Sequence, residues 1–221
     1  IEYIGQLIHD GRAGIFLLQI INLNAIAVIS YKAARYYLTQ LQAVFCVMIS
    51  IAFLIGTCRL SSAVEEFTYL YSILAVCITL KNVQADKGFC KKRDFFVYGA
   101  AAMCAVSMRV TDCIIVGACI IYAGAVTLKN YGIKKLVINY AAAIVGVVLV
   151  FIPFVVYFAV NNAIDDWLDA TLYFSFRYSD FNKGPIRIVY VSMLLVPIAL
   201  SVYSLLKGNK ELPVLSLVMS L

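Results

Sequence analysis

The sequence predicts an all-α fold: a polytopic transmembrane helix bundle of about seven spans plus the start of an eighth, with an extracytoplasmic interfacial segment. Three observations predict it. Hydrophobic residues make up 63% of the 221-residue chain and charged residues only 14%, too little polar surface to cover a water-soluble globule of this size. The apolar residues are gathered into long runs. The loops between those runs alternate between Lys/Arg-rich and Asp/Glu-rich, as in a chain that crosses a bilayer with a fixed orientation.

The runs occupy residues 13–31, 41–58, 67–80, 95–108, 113–128, 136–160 and 188–206, and an eighth begins at Pro213. A perpendicular crossing needs roughly 20 residues, so the third, fourth and fifth runs fall short unless they recruit flanking residues such as Glu66, Lys81 and Arg109. Asn22 and Asn24 inside the first run fit hydrogen bonding between helices. The connection 161–187 mixes Trp167, Tyr173, Phe174, Phe176, Tyr178 and Phe181 with charges, a composition suited to the headgroup layer. No internal repeat or linker divides the chain, which reads as a single membrane domain over 1–221. Because it starts at Ile1 and stops at Leu221 inside an apolar run, both ends read as cut.

One set of loops carries Lys32, Arg35, Lys81, Lys87, Lys91, Lys92, Arg93, Lys129, Lys134, Lys135, Lys207 and Lys210, against Asp86, Asp94 and Glu211. The positive-inside rule makes this face cytoplasmic. The opposite set holds nine of the twelve carboxylates: Glu2, Asp10, Glu65, Glu66, Asp112, Asp165, Asp166, Asp169 and Asp180. Chemistry that needs carboxylates therefore belongs on the outer face. The net charge of +6 is accounted for by topology, so nucleic acid is not an expected partner. The seven cysteines include no C-x-x-C pair and lie mostly within apolar runs, where they act as small hydrophobes rather than zinc ligands or a disulfide framework.

Glu65 and Glu66 precede Phe67 at the outer start of the third run. Acids in a first helical turn favour the positive end of the dipole, with Ser61 or Ser62 as the cap, and need no further role. At the mouth of an apolar helix they also suit a base, a sugar-hydroxyl acceptor or a ligand for a divalent cation, and the sequence fixes no metal or other cofactor. Arg109 and Asp112 flank a short outer turn, either as a local pair or with the guanidinium holding a phosphate. Arg59 is a weaker phosphate ligand of the same kind. Arg177, among aromatics, fits an anionic headgroup or a lipid-linked phosphate. His9, the only histidine, has no neighbouring nucleophile.

Four stretches in order carry a resemblance: GRAGIFLLQ from Gly11, SSAVEEF from Ser61, Ser107-Met108-Arg109, and VNNAIDDW from Val160 leading to Phe176-Arg177-Tyr178-Ser179. Together they resemble the bacterial integral-membrane GT-C glycosyltransferases, near the protein mannosyltransferase and aminoarabinose transferase group, glycosyltransferase family 39. Val64 stands where that pattern has a hydroxyl residue. The resemblance implies an enzyme of the bacterial plasma membrane with its active face extracytoplasmic. Such an enzyme moves a sugar from a polyprenyl-phosphate carrier to an acceptor glycan, lipid or protein. Glu65 and Glu66 take the place of the family's acidic pair, and Arg109 and Arg177 that of its span-end arginine and late-loop base. The family's principal catalytic aspartate is expected upstream of Ile1, so these 221 residues alone are expected to be inactive. A transporter or flippase for lipid-linked sugars is the alternative, predicting charges near mid-span or paired broken helices.

Overall fold

The computed structural model describes residues 11–58, 64–84, 91–108 and 110–173. Among them every regular element is helical: α1 (Gly11–Ala34), α2 (Gln40–Cys58), α3 (Val64–Gln84), α4 (Lys92–Met108), a 3-10 turn (Val110–Cys113), α5 (Ile114–Val160), the short α6 (Ile164–Leu168) and a π turn (Asp169–Tyr173). The first six apolar runs all became helices. The seventh, and the start of the eighth, lie outside the described residues.

Helix α3 extends beyond its apolar run at both ends and does take in Glu66 and Lys81. The 47-residue α5 merges the fifth and sixth runs, and the expected basic loop between them shrinks to one residue. Gly132, at φ 77° and ψ 176°, occupies a backbone region open essentially to glycine alone. The chain reverses there. The Tyr140 ring lies against Gly124 and its hydroxyl donates to the Ile120 carbonyl at 3.4 Å, whereas 20 residues along a straight helix would separate them by about 30 Å. Limbs 114–131 and 133–160 are thus a hairpin.

Local sequence sets the other boundaries. Gln42 closes the start of α2 with one arm of a capping box: its Oε1 accepts from the Thr39 backbone N–H at 3.1 Å and from the Thr39 hydroxyl at 2.9 Å, giving the Thr39 amide a partner. The second limb of α5 ends at Asn162, whose φ of 53° is the left-handed conformation asparagine tolerates. There the Asn162 and Ala163 amides donate back to the Ala159 and Phe158 carbonyls, at 3.1 and 2.9 Å.

Helices α1, α3, α4 and α5 form the core, while α2 packs mainly on α1. Small residues set the tightest seam. A side chain on Gly99 of α4 would run into the Ala143 carbonyl of α5, and one on Gly146 into the Phe96 carbonyl and Ala100 amide of α4, the close backbone approach that small residues permit. Buried Phe95, Tyr98, Ala101, Val116, Cys119 and Tyr122 fill the space around it. Among the described residues two helical segments, Phe16–Ala34 and the hairpin Ile114–Val160, are long and apolar enough to cross a membrane, and Gln40–Gly56 is apolar but shorter.

Polar residues in the core are joined rather than scattered. Asn82 Nδ2 donates to Asp94 Oδ2 at 2.9 Å and to the Ile78 carbonyl at 2.9 Å; one turn away, Thr79 Oγ1 and the Tyr98 hydroxyl are 2.8 Å apart. Two rungs therefore tie α3 to α4. Asn22 is buried as expected of a residue between helices, but Asn24 bonds the Ile20 carbonyl of its own helix and is exposed. Its register, two residues on, turns it away from the face that Asn22 buries.

Candidate functional site

The order of the helices and the contacts between them sort charge to two ends. Gln84 Nε2 donates to the Tyr36 carbonyl and Asn82 binds Asp94, so the end of α3, the α1–α2 connection and the start of α4 lie together. That end carries Lys32, Arg35, Lys81, Lys91, Lys92 and Arg93, with Lys129, Lys134 and Lys135 at the hairpin reversal. At the opposite end lie the first turn of α3, the turn 110–113, and α6 with its π turn, bearing Glu65, Glu66, Asp112, Asp165, Asp166 and Asp169.

A single hydrogen bond organises the acidic end. Thr68, buried one turn into α3, donates from Oγ1 to Asp112 Oδ2 at 2.8 Å. Glu65 lies three residues before Thr68 in the same helix, so its backbone is carried to the turn that follows residue 109. Glu65 and Glu66 are placed through their backbone alone, in the first turn of α3. Arg59, Arg109 and Arg177 lie outside the described residues. Asp112, expected as a partner of Arg109, has one oxygen engaged by Thr68.

The rest of this end is aromatic and acidic. Trp167 stacks on Phe158 with centroids 5.4 Å apart and planes at 12°, and Phe151 lies 6.3 Å away. The stack pins α6 to the second limb of α5. Thr171, buried, donates to the Trp167 carbonyl at 2.7 Å, and the π turn packs against α4. Asp165, Asp166 and Asp169 remain exposed. Residues 161–173 therefore fold back over the bundle end instead of projecting from it.

Burial pushes the Cys113 thiol above the ordinary range and the neighbouring Asp112 charge adds to this, against a hydrogen bond with its own backbone. Cys46, Cys77, Cys104, Cys113 and Cys119 are free. Among the described residues no three His, Cys, Asp or Glu side chains come together to hold a metal ion.

Sequence reasoning passed over Thr68 and the Asn82–Asp94 pair. Their spacing carried a signal: Thr79 and Asn82 stand three apart, Asp94 and Tyr98 four apart, and polar residues at helical spacing in apolar runs mark one face of each helix. Comparison with protein-family models, with curated proteins and with solved structures gives no match to this chain.

Proposed function

We propose that this chain belongs to a bacterial plasma-membrane glycosyltransferase of GT-C type, transferring a sugar from a polyprenyl-phosphate carrier to an acceptor on the extracytoplasmic side. In this reading the bundle crosses the membrane about seven times. Its basic end faces the cytoplasm and its acidic end is the working face. The unusual surface supports a lipid setting: Leu41 is 80% exposed, Phe45 67% and Ile121 70%, a density of bare aliphatic side chains that water disfavours and acyl chains accept.

The observation that carries the reading is the Thr68–Asp112 hydrogen bond. It ties the segment that opens with Glu65 and Glu66 to the turn that Arg109 precedes. One of these glutamates assists the family's catalytic aspartate in taking the acceptor hydroxyl proton as the acceptor oxygen bonds to the sugar anomeric carbon. The bond from that carbon to the carrier phosphate breaks, and its electron pair leaves with the phosphate, whose charge Arg109, Arg177 and Arg59 stabilise. Replacing Glu65 and Glu66 together by Gln in the full-length enzyme is expected to reduce transfer of a labelled sugar at least ~100-fold, within the range of general-base catalysis, while membrane insertion is retained. Unchanged turnover would remove the pair from the chemistry.

A further inference from the structure

The hairpin reversal at Gly132 combines features that its fold role does not require. Both limbs stay helical up to Gly132, so Lys129, Lys134 and Lys135 all stand within one turn of the tip. Beside them Leu128 is 46%, Tyr131 38% and Ile133 69% exposed. Lys134 and Lys135 begin the second limb, where the positive end of the helix dipole repels cations. The one carboxylate among the described residues of this end, Asp94, is 6% exposed and held by Asn82, so it does not neutralise them.

We infer that this tip is a docking surface for acidic phospholipid headgroups of the leaflet at the basic end. The ammonium groups meet lipid phosphates while Ile133, Leu128 and the Tyr131 ring enter the acyl boundary beside them, an arrangement of long cationic stems over apolar surface that suits a membrane interface. An acidic protein or a free anion would satisfy the lysines and leave the aliphatic groups wet. The inference rests on the membrane-spanning part of the reading above and is independent of sugar transfer.

The full-length protein in nanodiscs of phosphatidylcholine, with or without phosphatidylglycerol, tests it by native mass spectrometry and thermal unfolding. Wild type is expected to retain phosphatidylglycerol selectively and to unfold at a higher temperature in the mixed discs. The Lys129→Gln, Lys134→Gln, Lys135→Gln triple variant is expected to lose that selectivity by about fivefold per lysine, and the same three positions as Arg to keep it. A Gln variant that retains the lipid as wild type does overturns the proposal, as does an equal rise in phosphatidylcholine discs with inorganic phosphate. Alkaline carbonate separates the two readings: release of the chain from native membranes sinks the spanning bundle itself, whereas a chain that resists carbonate yet shows no lipid preference sinks the docking surface alone.

Discussion

Tyr98 is fully buried, and its hydroxyl has one productive role. Thr79 Oγ1 already spends its hydrogen on the Ala75 carbonyl at 2.9 Å, so in the 2.8 Å contact between the two hydroxyls the tyrosine is the donor. Tyr98→Phe removes that donor and leaves Thr79 with its own bond intact. The expected loss is about 1 kcal/mol of unfolding free energy. Asp94→Ala differs in kind, because Asn82 Nδ2 divides its two hydrogens between Ile78 and Asp94 and one of them would be stranded in the core. That substitution is expected to cost about 1–3 kcal/mol, so unfolding in mild detergent should rank Asp94→Ala below Tyr98→Phe. Equal stability of the two would mean that the Asn82–Asp94 bond does not join the helices.

Between elements, glycine spacing governs the α4–α5 seam. Gly146→Val would drive a side chain into the α4 backbone, which cannot rotate away, and is expected to destabilise the bundle by about 1–3 kcal/mol or more. Gly56 on peripheral α2 has open space around it, and Gly56→Ala is expected to raise stability by about 0.5–1 kcal/mol through helix propensity. Unfolding titrations that failed to separate the two would argue against the seam. These elements were legible from apolar runs because, in the proposed bilayer setting, a helix that buries one stripe and shows lipid the other is hydrophobic all round. What the runs could not convey was the reach of each helix into charged flanks. Lys129 to Lys135 read as a loop because lysines mark water, yet both limbs stay helical up to Gly132, which makes the whole turn. The acidic end was legible only as composition. Thr68 looks like any threonine in an apolar helix, and its pairing with Asp112, 44 residues away, depends on the tertiary arrangement.

For the whole molecule, the separation of basic from acidic ends makes a prediction about sidedness. In a variant whose native cysteines are replaced, a cysteine at Asp165 is expected to react with an impermeant maleimide in intact cells, and one at Lys134 only after permeabilisation. Labelling of both from one side would break the proposed crossing pattern, since an even number of helical limbs would then divide them. The Gly99–Ala143–Gly146 contact has a mechanical consequence as well. Backbones that near leave no width for an isoprenoid tail, so α4 and the limb 133–160 behave as a single stave. In the proposed reaction, a lipid-linked carrier approaching sideways would have to thread another seam.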